Sequence, residues 1–149
     1  MNARRQCGGC TACCTAMHIR ELRKAPGVTC LNERPGVGCA IYHTRPASCR
    51  NYHCAWLDGE SGELDRPDRT GIILDRITVQ SAIPGRGAIP AVCVREARSG
   101  AFENGRGTEI VCELARTGIV VLLRGSRREI VGPPELVARV SRGGVAPSP

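Results

Sequence analysis

The placement of its cysteines constrains this chain more than any other feature of the sequence. Ten cysteines occur in 149 residues, and eight of them lie before residue 57. The same stretch contains the turn-forming pairs Pro26-Gly27, Pro35-Gly36 and Arg45-Pro46, which leave no room for long helices or strands. Such a segment buries little apolar surface, so we expect metal-thiolate bonds, packing on the rest of the chain, or both to order it.

The chemistry of clustered cysteines depends on whether the compartment is reducing. The first residues carry charge without an apolar stretch behind them, so we expect no secretory signal and a cytoplasmic protein. In reducing surroundings a metal holds clustered cysteines as thiolates, whereas disulfides do not persist. Apolar runs such as 119–123 fall far short of the roughly 18 residues that a membrane-spanning helix needs, so we expect no membrane partner.

The positive charge of the chain is concentrated in the cysteine-rich part. The net charge is +7, of which residues 1–57 contribute +6, from eight basic and two acidic side chains. A basic protein suits nucleic acid, but cysteines become anionic when they bind metal, and nearby positive charge would balance them. The arginines are scattered instead of forming one dense run, so we do not expect a nucleic-acid partner.

The change in composition near residue 57 divides the chain. We predict a cysteine-rich metal-chelating region at 1–57, a small α+β region packed on it at 58–143, and a frayed tail at 144–149. The expected fold class is α+β, in which a loop-rich cysteine unit packs with a small antiparallel or mixed sheet and about two helices.

The region after residue 57 shows ordinary strand and helix patterns. Strands are predicted where β-branched residues lie between glycines and prolines, at 72–74, 77–82, 91–97, 119–124 and 127–131. The last two are joined by Gly125-Ser126, which suits a type II′ turn. Apolar residues four apart predict a helix at 108–116, and Pro133-Pro134 predicts the start of a final helix that reaches towards Gly143.

The spacing of the cysteines gives the candidate site. Cys7 and Cys10 form a Cys-x2-Cys step, and the two glycines between them ease a turn that aims both thiolates at one metal. Cys13 and Cys14 are adjacent, and we expect their side chains to diverge and to serve different metals, or one of them not to be a ligand. The predicted metal ligands are Cys7, Cys10, Cys13, Cys14, Cys30, Cys39, Cys49 and Cys54.

Eight thiols allow two arrangements. They divide into two four-cysteine zinc sites, or into one 4Fe-4S iron-sulfur cluster with four thiols left over, and the spacing does not choose between them. The other two cysteines, Cys93 in a strand and Cys112 in a helix, are expected to be buried free thiols. His18, His43 and His53 are expected on the surface, with His53 the best histidine candidate because it lies beside Cys54.

Two sequence elements resemble a known family. Positions 7–14 read CGGCTACC, and positions 38–54 read GCAIYHTRPASCRNYHC. Together they resemble the YkgJ family, described as a zinc- or iron-chelating domain, over roughly residues 7–57. The resemblance implies that the cysteines of both elements belong to the chelating set, with Cys30 the cysteine expected between them. Thr11 stands where the family usually has glycine, a departure that removes no ligand.

These patterns predict a metal-binding protein and leave its biological role open. One alternative is an iron-sulfur-dependent redox or methyl-transfer enzyme, because the resemblance extends to flagellin lysine methylases, in which a related cysteine cluster is associated with an iron-sulfur cluster. A second alternative is a nucleic-acid-binding zinc protein. Tyr42, Tyr52 and Trp56 would then stack on bases, but we expect them to pack the small core of the cysteine unit. No catalytic residue is assigned.

Overall fold

The cysteine-rich part of the chain contains only short regular elements. The computed structural model describes residues 5–140. Among residues 5–57 no helix or strand exceeds five residues, as the turn-forming pairs predict. The elements are helix α1 (Ala12–Ala16), a 3-10 turn (Arg20–Leu22), strands β1 (Glu33–Arg34) and β2 (Gly38–Cys39), a second 3-10 turn (Tyr42–Thr44) and helix α2 (Ala47–Asn51).

The remainder of the chain forms a four-stranded sheet with helices. Its elements are α3 (Pro67–Thr70), β3 (Ile72–Val79), β4 (Ile89–Glu96), α4 (Arg106–Ala115), β5 (Ile119–Arg124), β6 (Arg127–Val131) and α5 (Pro134–Val137). The strands lie in the order β3-β4-β5-β6, with β4 and β5 parallel and the other pairs antiparallel. The α+β class with a small mixed sheet is therefore confirmed. No helix among residues 5–140 is long and apolar enough to span a membrane.

The structure differs from the predicted elements at one polar residue and at three short helices. The predicted strands 72–74 and 77–82 form one strand, because Asp75 between them has partners: it accepts hydrogen bonds from the Tyr52 hydroxyl at 2.6 Å and from Arg95 at 3.2 Å. α1, α2 and α3 are too short to show a helical period, so the prediction of about two helices missed them. The two predicted helices are present as α4 and α5.

The C-terminal hairpin follows the prediction residue by residue. β5 and β6 have the predicted bounds, and Gly125 has φ +57° while Ser126 is not left-handed, as a type II′ turn requires. The final helix begins at Pro134 but ends at Val137, well before Gly143, and Val140 instead forms a bridge with Ser81. The predicted tail at 144–149 lies outside the described residues.

The two faces of the sheet are covered differently. One face packs against α4, where Ile72, Val94 and Val120 meet Ile110 and Val111. On the other face, one end lies in a cluster formed by Val79, Ala91, Ile119, Val121 and Val140, which Leu136 of α5 contacts. The other end of that face is Ile73, which packs against Ala12, Ala16 and Cys54. The cysteine-rich region is thus attached to the sheet through β3.

Candidate metal centre

The structure places the eight predicted ligands on six short segments of the cysteine-rich region. Cys7 and Cys10 lie on the turn before α1, in which Cys10 N–H donates to the Cys7 carbonyl at 2.9 Å. Cys13 and Cys14 lie in α1 itself. The other four come from the loop after α1, from β2, from α2 and from the segment that follows α2: they are Cys30, Cys39, Cys49 and Cys54.

Three of these thiols pack on the sheet and Cys7 neighbours two of them; we call the four the inner thiols. They are Cys7, Cys10, Cys13 and Cys54. Cys10, Cys13 and Cys54 pack in the cluster around Ile73, a side chain that is 1% exposed. Burial raises the pKa of both Cys10 and Cys54, and the neighbouring Cys7 thiol raises each further. All four therefore occupy one neighbourhood.

We call the other four the outer thiols. They are Cys14, Cys30, Cys39 and Cys49. The Cys30 N–H donates to the Cys14 carbonyl at 2.9 Å, which fixes these two backbones side by side. Burial raises the pKa of Cys49, and the nearby Cys14 and Cys39 thiols raise it further. None of the outer thiols belongs to the apolar clusters found within residues 5–140.

The expected divergence of Cys13 and Cys14 is wrong. Their side chains hydrogen-bond to each other, which raises the pKa of Cys13 and lowers that of Cys14. The reason is that both lie in α1, where consecutive side chains point only about 100° apart, whereas in a strand they would point to opposite faces. α1 thus places one thiol in each set while keeping the two sets in contact.

Backbone N–H groups point at the inner sulfurs. Burial raises the pKa of Cys10 and Cys54, and hydrogen bonds from two backbone N–H groups to each sulfur act in the opposite direction. Such bonds stabilise thiolate charge and tune thiolate-bound metals and clusters. The donors are Ala12 and Asp68 for Cys10, and Leu57 and Trp56 for Cys54.

A buried ammonium group accompanies the outer thiols. Lys24, which is 6% exposed, donates from Nζ to the carbonyls of Thr15 at 3.0 Å, Met17 at 2.5 Å and Ala25 at 3.0 Å. Desolvation lowers the pKa of Lys24, whereas nearby thiols, Cys30 first among them, raise it. Sequence reasoning missed this residue. Its only signal was that it is the one lysine beside twenty arginines.

The loop that carries Lys24 follows α1 and is hydrogen-bonded to α2. Ile19 and Lys24 exchange two backbone hydrogen bonds of 3.0 Å, and Arg23 between them adopts the left-handed φ of +50°. Glu21 in the same loop accepts hydrogen bonds from the Ser48 N–H at 3.1 Å and the Ser48 hydroxyl at 2.7 Å. Ser48 precedes Cys49, so this loop positions an outer thiol as well as the ammonium group.

The turn between Cys7 and Cys10 requires its glycines. Gly8 has φ +52°, the left-handed region that favours glycine. At Gly9 a Cβ atom would lie 2.5 Å from the Gly36 carbonyl oxygen, because the turn between β1 and β2 packs directly against it. The hairpin that carries Cys39 therefore reaches the Cys7–Cys10 turn only because no side chain stands in the way.

The donor set fits a soft metal, but the side chains as they stand do not enclose one. Within residues 5–140, no three His, Cys, Asp or Glu side chains are arranged to hold a metal ion, and the ten cysteines are free. Zinc and iron-sulfur clusters take thiolates in sets of four, and these thiols come with groups that offset negative charge. Binding therefore requires the thiols to rotate towards a common centre.

The two cysteines outside the site differ from each other. Cys93 in β4 is 2% exposed, as predicted, and burial raises its pKa to about 11. Cys112 is exposed, so the prediction of a buried thiol was wrong there. α4 buries Ile110 and Val111 against the sheet, and the next residue of the helix turns away from it.

His53 lies at the surface, and the aromatic residues differ in their burial. His53 Nδ1 lies 3.4 Å from a carboxylate oxygen of Asp58, and both side chains are about half exposed. Tyr52 and Trp56 pack in the cluster around Ile73, as predicted. Tyr42 does not: it is exposed, with the Arg45 guanidinium 3.7 Å from the ring centroid.

Comparisons of the chain with models of known families, with curated proteins and with solved structures found no match.

Proposed function

We propose that this protein binds metal through its clustered thiolates, as zinc or as an iron-sulfur cluster, in a reducing cytoplasmic setting. One observation carries the proposal: Cys10, Cys13 and Cys54, which are remote in the sequence, pack in one cluster, and the Cys30 N–H donates to the carbonyl of Cys14 beside it, while Cys93 lies in β4 and Cys112 in α4. Thiols spaced so far apart in the sequence have no reason to gather for packing alone, because free cysteines bury as readily in any core.

The surroundings of the thiols support the same function. Inner sulfurs accept hydrogen bonds from backbone N–H groups, and the outer thiols have the Lys24 ammonium beside them. Both features act against the burial that raises the pKa of Cys10, Cys49 and Cys54, and the thiolate is the form that binds metal. The resemblance of residues 7–57 to the YkgJ family leads to the same proposal, and we propose membership on those two motifs alone.

An iron-sulfur protein is the second candidate. The inner thiols have the spacing Cys-x2-Cys-x2-Cys over Cys7, Cys10 and Cys13, with Cys54 supplied from a distance. Three closely spaced cysteines and a remote fourth are typical of 4Fe-4S ligation. In this form the protein would transfer electrons or serve an iron-sulfur-dependent redox or methyl-transfer reaction.

Metal analysis tests both forms. The untagged protein is purified without oxygen, its metals are measured by mass spectrometry, and its visible spectrum is recorded. Colourless protein with bound zinc supports the zinc form, and brown protein with iron and equal sulfide supports the cluster form. Cys10→Ser is expected to lower metal content, and the exposed Cys112→Ser is the matched control. Protein that takes up neither metal when supplied with each contradicts the proposal.

A further inference from the structure

We propose that a polar cleft between the cysteine-rich region and the sheet binds a small zwitterion of the α-amino acid class, whose ammonium group contacts Glu33 and whose carboxylate contacts Arg98. The cleft has a volume of about 140 Å³. Its lining comes from α1 and β1 on the cysteine-rich side, and from α3 and the residues that follow β4 on the sheet side. The inference goes beyond the proposed function and does not depend on which metal the thiols bind.

A carboxylate lies on the cysteine-rich side of the cleft. Glu33 Oε1 accepts a hydrogen bond from the Thr11 hydroxyl at 2.5 Å, and both residues line the cleft. This hydrogen bond holds the carboxylate at the cleft. Within residues 5–140, Glu33 forms no salt bridge with a basic side chain. Its negative charge is therefore available to the ammonium group of a ligand.

A guanidinium group lies on the sheet side of the cleft. Arg98 donates from Nη1 to the Asp68 carbonyl and from Nη2 to the Arg69 carbonyl, each at 3.3 Å. The group packs directly on Gly71, where a Cβ atom would lie 3.1 Å from Arg98 Cζ. In the described part of the chain Arg98 forms no salt bridge with a carboxylate. A guanidinium has five N–H donors, so these two hydrogen bonds leave others for a ligand carboxylate.

The remaining charge at the cleft is already balanced. Asp68 also lines the cleft, but its carboxylate accepts hydrogen bonds from Arg66 Nε at 2.7 Å and Arg66 Nη2 at 2.6 Å. Glu33 and Arg98 are therefore left as two opposite charges that line one cleft without pairing with each other. A ligand that carries both complementary charges satisfies both groups, whereas a ligand with one charge satisfies only one.

The size and polarity of the cleft favour a small amino acid. A cavity of about 150 Å³ holds a benzene molecule, so a cleft of about 140 Å³ has room for a ligand of similar size. Glycine, L-alanine and L-serine are of this size, and near neutral pH each carries an ammonium group and a carboxylate. The hydroxyl-bearing side chains of Thr11 and Thr15 also line the cleft, which suits a polar ligand.

A ligand series on the wild-type protein tests the inference. The full-length protein, labelled with ¹⁵N, is titrated with glycine, L-alanine and L-serine and, separately, with acetate and ethylamine, which each carry only one of the two charges. We expect at least one amino acid to bind with a dissociation constant of about 1 mM or lower. Its amide shifts should centre on Thr11, Glu33, Gly71 and Arg98. Acetate and ethylamine should bind at least about tenfold more weakly, because each makes only one of the two charged contacts.

Two variants remove one charge each. Glu33→Gln keeps the shape of the side chain and an acceptor for Thr11, and Arg98→Gln removes the guanidinium group. Each should weaken amino acid binding by about tenfold or more, since a hydrogen bond to a charged group contributes at least that factor. The matched controls are Glu135→Gln and Arg116→Gln, which remove exposed charges that do not line the cleft and should leave binding unchanged.

Three results would overturn the inference. The first is an absence of shifts with all three amino acids. The second is acetate or ethylamine binding as tightly as the amino acids, which would show a site for a single charge. The third is a folded Glu33→Gln or Arg98→Gln protein that binds like wild type. The ligand series on the wild-type protein decides the question even if a variant fails to fold.

Discussion

The cysteine-rich region and the sheet of this protein are ordered by different forces. In the sheet, strands of five to eight residues and a ten-residue helix bury side chains such as Val94 and Val120 completely. In the described part of the cysteine-rich region, residues 5–57, no element exceeds five residues, and one of the buried residues is a lysine. One half has an apolar core to stabilise it, and the other has thiols, turns and polar contacts.

This difference leaves the first region with few buried apolar contacts of its own to stabilise it. A hairpin with strands of two residues and helices of five residues have little stability by themselves. The free-energy cost of nucleating the helix or closing the loop exceeds the gain from so few hydrogen bonds. The attachment at Ile73 secures α1 and Cys54, but the loops that carry Cys30 and Cys39 gain little from it. Under the proposed function, bound metal supplies the missing stabilisation.

We expect metal removal to have the largest effect, because it should unfold the cysteine-rich region and leave the sheet folded. Structural zinc in small thiolate sites contributes about 10–16 kcal/mol to folding. Chelation should therefore remove amide-exchange protection from most of residues 7–54 and leave it in β4 and β5, which lie inside the main core. Hydrogen exchange read by mass spectrometry with and without EDTA measures this. Equal loss of protection in the sheet would show that the molecule unfolds as one unit.

Two neighbouring isoleucines sharpen the comparison, because they lie on opposite faces of β3. Ile72 packs under α4 and Ile73 under the cysteine-rich region, and both are nearly fully buried. Ile72→Ala and Ile73→Ala should each lower the free energy of unfolding by about 2–5 kcal/mol. Only Ile73→Ala should also accelerate metal release from the inner thiols. Urea denaturation and chelator kinetics measure the two effects, and identical release rates would show that Ile73 does not couple the regions.

The sequence predicts the sheet better than the site for a physical reason. Strand patterns and turn residues are local, so a single glycine at Gly125 sets the register of β5 and β6. Which thiols become neighbours is decided by contacts between remote segments. Nothing near Cys54 in the sequence indicates that packing on Ile73 brings it beside Cys10.

The same distinction explains the individual errors. Asp75 looks like a strand break, but Tyr52 and Arg95 satisfy it from other parts of the chain. Cys112 looks like a core residue, but α4 buries only a narrow face. Lys24 could not be recognised as part of the site, because its three acceptors are backbone carbonyls that no side-chain pattern records.

Replacing Lys24 should weaken the cysteine-rich region by a smaller amount. Lys24→Met keeps the length of the side chain but leaves three carbonyls without their charged donor, which we expect to cost about 1–3 kcal/mol. The loss should appear as faster exchange of amides around Cys14 and Cys30, with β5 unchanged. The control is Arg20→Met, which removes an exposed charge from the same loop. Equal effects of the two variants would mean that charge alone matters and the buried contacts do not.

The last prediction concerns reactivity, with little effect on stability, and separates the two cysteines that lie outside the site. Burial raises the pKa of Cys93 from 9.0 to about 11, so its thiolate is about a hundredfold rarer than that of an ordinary thiol, whereas Cys112 is exposed. A pKa raised on folding contributes stability below pH 9.0 that is lost as the pH rises through about 11. In metal-loaded protein at about pH 8, iodoacetamide should therefore modify Cys112 at least about a hundredfold faster than Cys93. Comparable rates would mean that the sheet opens often enough to expose Cys93, which would contradict a rigid core.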